Sequence, residues 1–183
     1  YEAGALQTLG VHSYVDAAVF QNDFRYFVEP LVDLAQTASL IVVRFQNVND
    51  ARIRGVEMGA GTRLWYQRLH LDGGLTLLDS EDLELERPLA YRPRWTGQLS
   101  PSLHLGRVSG SLDYRYSSRL QQVSVYSGDE RVPQHELNVR AQIHWSSLSW
   151  TLGVNNLFNY NYTQLERNLG DIRNFVVGIN GTF

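Results

Sequence analysis

Five acidic residues lie close together in the middle of the chain and could bind a cation. Asp79, Glu81, Asp82, Glu84 and Glu86 supply carboxylate oxygens, which are the ligands that calcium prefers. The run has neither the regular ligand spacing nor the turn glycine of a calcium-binding loop, so a solvated acidic loop is the simpler interpretation. We therefore predict no metal ion and no other cofactor.

The histidines and serines do not form a recognisable catalytic pattern. The five histidines have no spacing that would place two metal ligands on one face; they are His12, His70, His104, His135 and His144. No Gly-x-Ser-x-Gly elbow is present, and the chain contains no cysteine. We predict that the chain is not an enzyme.

The overall charge argues against a nucleic-acid-binding protein. The formal net charge is −3, and the 16 arginine residues are spread along the chain rather than clustered. A basic patch is the feature that a nucleic-acid binder needs. We therefore predict no nucleic-acid partner.

Apolar and polar residues alternate with a period of two, which indicates that the polar side chains discussed above are carried by β-strands. In residues 135–145, the odd positions from Leu137 to Trp145 are apolar and the even positions from Glu136 to His144 are polar. Successive side chains of a strand point to opposite faces, whereas a helix would mix the two sets. The pattern recurs at 69–77, 94–105, 108–116, 148–155 and 174–183, and residues 11–28 and 39–65 are also strand-like, with bulges predicted near Ala17-Ala18 and Asn49-Asp50.

The breaks between these strands alternate in length. Tight breaks occur at 7–10, 65–68, 105–107 and 145–147, and longer polar stretches occupy roughly 30–39, 79–92, 118–133 and 159–173. Short turns on one rim and long loops on the other are typical of an antiparallel up-and-down barrel in a bacterial outer membrane. Counting a partial first strand, we expect about nine strands.

Strand length and aromatic placement separate a membrane barrel from a soluble antiparallel sandwich, which would also alternate. The predicted strands are about ten residues long, whereas strands of soluble sheets usually have five or six. Aromatic residues also concentrate near strand ends, as in an interfacial girdle; they are Trp65, Tyr66, Tyr91, Trp95, Tyr114, Tyr116, Trp145, Trp150, Tyr160 and Tyr162. These features favour the transmembrane barrel, with lipid as one partner.

The polar face of such a barrel would line its lumen. Six charged residues are lumen-facing candidates: Arg68, Asp72, Asp113, Arg115, Glu136 and Arg140. They would contact solute or a domain inside the barrel, or else be solvated and paired across strands. We also expect a charge at apolar Val139 to cost stability and a charge at the neighbouring Asn138 to be tolerated.

Several segments resemble the C-terminal barrel of TonB-dependent outer-membrane receptors, in the family's order. Asn47 to Glu57 resembles the family's Asn, small residue, then Gly-Val-Glu strand, and Leu89 to Trp95 resembles its proline-containing strand start. Val154 to Tyr162 resembles its Val-x-Asn-Leu-Phe signature, and Tyr1 to Gly4 resembles the preceding Tyr-Glu-x-Gly strand. The resemblance covers the whole chain.

The last strand resembles the C-terminal signal that the outer-membrane assembly machinery recognises. The residues that carry this resemblance are Phe175, Val177, Gly178, Ile179 and the terminal Phe183. The resemblance therefore implies that the assembly machinery is a partner of this segment.

The family resemblance implies a fold and a function. Residues 1–183 would be the C-terminal portion of an all-β, antiparallel, transmembrane barrel of 22 strands, without the plug domain and the segment that contacts TonB. The complete protein would lie in the Gram-negative outer membrane and import a siderophore-bound iron, a vitamin or an oligosaccharide with TonB-coupled energy. The alternative is a small outer-membrane barrel with a structural or enzymatic role.

Overall fold

The computed structural model describes residues 1–33, 42–123, 132–160, 163–165 and 168–181. The strands in these ranges are β1 (Glu2–Leu9), β2 (Ser13–Asp33), β3 (Val42–Leu64), β4 (Leu69–Asp82), β5 (Arg87–Pro88), β6 (Trp95–Leu105), β7 (Val108–Ser117), β8 (Gln134–Trp145), β9 (Leu148–Asn155), β10 (Thr163–Leu165), β11 (Asn168–Leu169) and β12 (Asn174–Gly181). Within these ranges, no helix has the length and apolar character needed to span a membrane.

Nine strands form one antiparallel meander. Their spatial order is β1-β2-β3-β4-β6-β7-β8-β9-β12, while β5 pairs with β4 and β10 pairs only with β11. Each strand of the meander therefore lies beside its neighbours in the chain, which confirms the predicted up-and-down topology and a count near nine. In the described ranges β1 pairs with β2 alone and β12 with β9 alone, so the sheet is not closed on itself.

The connections follow the predicted alternation. On one rim, residues 10–12, 65–68, 106–107 and 146–147 make the short turns. Gly106 (φ 65°) and Ser146 (φ 56°) are each the first residue of a two-residue hairpin loop. A positive φ at this position matches the right-handed twist of the flanking strands, and glycine adopts it without strain.

The bulge predicted near Ala17-Ala18 is wrong. Ala17 pairs with Ala5 and Met58, and the register of β2 is unbroken on both sides through this point. Alanine is small enough to face either side of a sheet. Two consecutive alanines therefore interrupt the apolar–polar alternation of the sequence without any irregularity in the backbone. Near Asn49 the ladder omits the pair opposite Tyr26, which has a φ of 59°, but it resumes in the same register.

The register fixes the two faces of the sheet. Leu105, Val108, Ile143, Trp150 and Ile179 are successive partners across β6, β7, β8, β9 and β12, so these apolar side chains share one face. They are 40–55% exposed, well above the exposure of core residues. We call this the convex face, because the opposite face lines a cavity and is the concave face.

Aromatic side chains mark both ends of the convex face. Trp65, Tyr66 and Trp145 lie at the short-turn rim and are 54%, 91% and 71% exposed. At the other end, the rings of Trp95 and Tyr116 are 4.4 Å apart, and Tyr116 and His135 are 4.9 Å apart. Two aromatic bands with an apolar band between them are characteristic of transmembrane barrels.

Candidate functional site

The concave face lines an open cavity of about 920 Å³. Residues of β1, β2, β3, β4, β6, β7 and β8 all line it, so the sheet curves around this space. The side chains that alternation directs into it include Tyr14, Asp16, Glu57, Gln98 and Arg115. Such a wall can bind a polar ligand or a protein segment that fills the curve.

Glycines on β3 allow side chains of β2 to lie flat against this wall. Phe20, Asp16 and Tyr14 are the direct cross-strand partners of Gly55, Gly59 and Gly61. A β-carbon at Gly55 would lie 2.7 Å from Cζ of Phe20, and β-carbons at Gly59 and Gly61 would collide with the Asp16 carboxylate and the Tyr14 ring. Without these glycines the side chains of β2 would stand up into the cavity.

Carboxylates on the β2–β4 part of the wall lack cationic partners within the described ranges. Oδ2 of Asp16 is shielded from solvent and has no hydrogen-bond partner there. Asp72 accepts a long hydrogen bond of 3.4 Å from the Tyr14 hydroxyl, and no salt bridge is formed by Glu57 in the described part of the chain. Because an unpaired shielded carboxylate is costly, this wall favours an occupant with cationic or N–H groups.

The β6–β8 part of the wall carries one ion pair and further polar contacts. Nε of Arg115 lies 2.8 Å from Oδ1 of Asp113, whose Oδ2 accepts a 3.2 Å hydrogen bond from Ser100. Glu136 accepts a 2.8 Å hydrogen bond from Nδ2 of Asn138. The β6–β8 part of the wall therefore contains an ion pair, whereas the carboxylates of the β2–β4 part have no cationic partner in the described ranges.

The six predicted lumen-facing residues separate into two groups. Arg115 and Glu136 line the cavity, and Asp72 and Asp113 contact residues that line it. Arg68 lies in the turn after β3, with its guanidinium 5.8 Å from the Trp65 ring, and Arg140 lies four positions after Glu136 on β8, opposite Ser111 and Gly153. Their roles toward solute or a domain inside the barrel stay predictions.

Sequence reasoning missed Asp16, Tyr14 and Glu57 as members of this wall. Tyr14, Asp16, Ala18 and Phe20 do alternate in the sequence, but Ala17 between them obscured the periodicity. Glu57 was noticed only as part of a family motif. The glycines opposite β2 could not be recognised as partners because register between distant segments is not visible in a single sequence.

The acidic run does not assemble into a metal site. Asp79 lies on the convex face beside Arg54, and Oδ1 of Asp82 accepts the backbone N–H groups of Glu84 (3.0 Å) and Leu85 (3.1 Å). Asp82 thus caps the turn that follows β4. Across the described residues, no three histidine or acidic side chains converge in a way that could hold a metal ion.

The predicted assembly segment forms the edge strand β12. Phe175, Val177 and Ile179 are on the convex face, opposite Val154, Leu152 and Trp150 of β9. Gly178 is on the concave face opposite Thr151. Phe183 lies outside the described residues, and recognition of this segment by the assembly machinery stays a prediction.

Comparison with known proteins identifies the family. Residues 1–157 match the family model described as "TonB dependent receptor-like, beta-barrel". The search of the curated proteins found no match.

Solved receptor structures share the fold. All of this chain aligns with 31% of the ferric enterobactin receptor of Pseudomonas aeruginosa, at 16% identity and a TM-score of 0.76. All of it also aligns with 30% of the copper transporter OprC (17% identity, TM-score 0.74) and with 27% of the ferric-catecholate import receptor Fiu of E. coli K12 (18% identity, TM-score 0.71). The chain thus spans less than a third of each of these proteins. Because the family model covers most of its length, the chain belongs to the TonB-dependent receptor-like β-barrel family.

Proposed function

We propose that this chain forms part of the barrel wall of an outer-membrane receptor that imports a scarce nutrient with energy supplied through TonB. The observation that carries the proposal is the open nine-stranded sheet, with an apolar convex face and a concave face that carries charged side chains and lines a cavity of about 920 Å³. Family membership and the likeness to the three receptors above support it. The convex face would contact outer-membrane lipid.

The concave wall suits a barrel that is filled by a separate domain. A small barrel is filled by its own side chains, and its first and last strands pair. Here β1 and β12 are not paired within the described ranges, and the carboxylates of Asp16, Asp72 and Glu57 face the cavity without a cationic partner among the described residues. A plug domain that presents arginine, lysine or backbone N–H groups would satisfy them.

The long-loop rim is the proposed site of nutrient capture. Residues 118–133 and 159–173 include stretches outside the described residues, and the described ends of both segments lie on the rim opposite the short turns. A ferric siderophore is our first candidate nutrient, because two of the three receptors compared above are described as taking up ferric chelates; a vitamin and an oligosaccharide are the others.

The proposal is tested by uptake in cells. Cells that express the full-length protein as their only ferric-chelate receptor should accumulate radiolabelled ferric chelate, and deletion of the gene or of tonB should abolish the uptake. Deletion of 118–133 or 159–173 should lower ligand affinity while the barrel stays folded. TonB-independent uptake, or unchanged affinity in both loop deletions, would contradict the mechanism.

A further inference from the structure

Two histidines come together on the concave face near the short-turn rim. His70 is the second residue of β4, and its cross-strand partner on β6 is Ser102. His104 lies two residues after Ser102, and both alternate in phase with Gln98, which lines the cavity, so the two imidazoles share the concave face. Their ring centroids are 5.2 Å apart, and the ring planes are tilted by 40°. Spacing along the chain did not predict this pair, because it depends on the register of β4 and β6.

A backbone carbonyl determines which nitrogen of the His70 ring carries a proton. Nε2 of His70 lies 2.9 Å from the carbonyl oxygen of Gln67, in the turn between β3 and β4. A carbonyl oxygen can only accept a hydrogen bond, so Nε2 carries the proton and Nδ1 of the neutral ring keeps its lone pair. Histidines that bind metal ions almost always donate their other ring N–H to a carbonyl, a carboxylate or water in this way. The His70 ring is therefore held in the tautomer that binds a metal ion through Nδ1.

The second ring has a nitrogen that is available to a ligand. Within the described ranges, the His104 side chain makes no hydrogen bond or ion pair, and the residue is exposed on the open concave face. Imidazole nitrogen is a good ligand for Cu²⁺, Ni²⁺ and Zn²⁺, whereas Mg²⁺ and Ca²⁺ prefer oxygen. Two adjacent imidazoles with available lone pairs therefore favour a transition-metal ion.

We propose that His70 and His104 bind a divalent transition-metal ion between them. One ring nitrogen of each histidine is a ligand, and water molecules fill the other positions, because no third histidine or acidic side chain converges on the pair among the described residues. Cu²⁺ binds most tightly, ahead of Ni²⁺ and Zn²⁺, as the general order of affinities for these ions requires. The ion links β4 to β6 at the short-turn mouth of the concave face. The site goes beyond the proposed function and requires neither nutrient nor TonB.

Neighbouring charges modulate the affinity of this site. Arg63 is the cross-strand partner of His70, and the backbone N–H of His104 donates to the carbonyl group of Arg68 at 2.8 Å, so two arginines flank the pair. Asp72 lies two residues after His70 on the same face and supplies one opposing charge. Because like charges repel a cation, Arg63→Gln should tighten metal binding severalfold and Asp72→Asn should weaken it.

The test measures metal binding to purified full-length protein in detergent by isothermal titration calorimetry. The protein carries no polyhistidine tag, and the probes are Cu²⁺, Zn²⁺ and Mg²⁺. We expect wild type to bind one Cu²⁺ ion that the double variant His70→Ala/His104→Ala does not bind, and to bind Zn²⁺ at the same site more weakly. Displacement of that Cu²⁺ ion by an equal concentration of Mg²⁺ would indicate oxygen ligands and would overturn the assignment.

Single substitutions locate the site. His70→Ala and His104→Ala should each weaken Cu²⁺ binding at least about tenfold, because loss of even an outer partner of a metal ligand costs about 10–100-fold in affinity. His144→Ala is the matched control, since His144 is exposed on the concave face of β8 near the same rim and has no other histidine ring beside it in the described part of the chain. Wild-type affinity in both single variants, or an equal loss in His144→Ala, would overturn the proposal.

A spectroscopic measurement identifies the ligands directly. Electron paramagnetic resonance of the bound Cu²⁺ ion should show coupling to two nitrogens in wild type and to one in either single variant, and a wild-type spectrum without nitrogen coupling would overturn the proposal. Both variants are expected to fold, because His104 is exposed and the His70 ring is bonded only to an exposed turn; thermal unfolding in detergent checks this. Neither measurement involves nutrient or TonB, so failure of the import assay leaves the metal result intact.

Discussion

The backbone N–H of Asn156 donates a 2.9 Å hydrogen bond to Oδ1 of Asn138, which joins the end of β9 to the concave face of β8. The side-chain amide of Asn156, a residue that is only 2% exposed, makes three further hydrogen bonds. Its Nδ2 donates to the carbonyl groups of Tyr160 (3.0 Å) and Asp171 (2.9 Å), and its Oδ1 accepts the N–H of Tyr160 (3.0 Å). One side chain therefore connects both ends of the long loop between β9 and β12.

Replacement of Asn156 should loosen this loop. Asn156→Ala leaves three backbone groups without their hydrogen bonds, and each buried unpaired group costs about 1–3 kcal/mol, so we expect a loss of at least about 3 kcal/mol. The measurement is the free energy of unfolding of the full-length protein in lipid, together with the rate of proteolysis within 159–173. Asn180→Ala, at an exposed concave position, should change neither.

A second variant separates the amide from the backbone conformation. Asn156 has a φ of 48°, which favours asparagine or glycine over alanine. Asn156→Gly relieves the backbone strain but still lacks the side-chain amide, so this variant should be nearly as unstable as Asn156→Ala. Recovery of wild-type stability in the glycine variant would show that the conformation, and not the hydrogen bonds, is what matters.

A charge on the convex face should be costly in lipid. Val139 lies between Leu112 and Val154 on this face, and Val139→Arg should cost about 2–4 kcal/mol near the bilayer midplane because lipid offers the guanidinium no water. The free energy of refolding into lipid measures it. Gln142→Arg on the concave face is the control, and equal losses in both variants would mean that the convex face does not contact lipid.

The structure changes the choice of that control. From the sequence, Asn138 was expected to tolerate a charge, but it accepts the N–H of Asn156 and donates to Glu136. Asn138→Arg would break both contacts, so we now expect this variant to lose stability as well. Alternation correctly assigned Asn138 to the polar face, but it carries no information about which polar residues are bonded to a distant loop.

Elsewhere too, the sequence could predict the local strand pattern but not the contacts between distant segments. Local alternation was enough to predict β8 and its two faces, because Leu137 to Trp145 keeps a strict period of two. The lengths of the turns were enough to predict the meander. Pairings between distant segments, such as Arg54 with Asp79 or Phe20 over Gly55, depend on register. A shift of one residue would exchange the two faces, so only the assembled sheet fixes these contacts.

A β-carbon at Gly55 should destabilise the wall. It would lie 2.6 Å from the carbonyl oxygen of Leu77 and 2.7 Å from Cζ of Phe20, and the backbone oxygen cannot move away as a flexible side chain could. We expect Gly55→Ala to cost about 1–3 kcal/mol in the free energy of unfolding in lipid. At Gly74, on the same face, the nearest atom would be 3.5 Å away, so Gly74→Ala should be close to neutral.

The last prediction concerns the pH dependence of the ion pair between Asp23 and Arg52. Both residues lie beyond Val19 and Val56, the outermost cross-strand pair of the apolar band, and so outside the membrane-spanning part of the strands. Hydrogen bonds from Gln21 and then from Arg52 hold the pKa of Asp23 below its ordinary value of 3.8. A carboxyl whose pKa is lowered by folding adds stability that is fully present above the unfolded pKa and disappears as the pH falls through the folded pKa.

Asp23→Asn should therefore reduce the stability of the long-loop end of β2 and β3 at neutral pH, by a small amount because the pair is exposed. The difference from wild type should persist down to about pH 4 and vanish in stronger acid, where Asp23 itself becomes protonated. Hydrogen exchange of the amides near Asp23, followed from pH 7 to pH 3 in both proteins, measures this difference. A difference that grew as the pH fell would have the opposite sign and would contradict the lowered pKa.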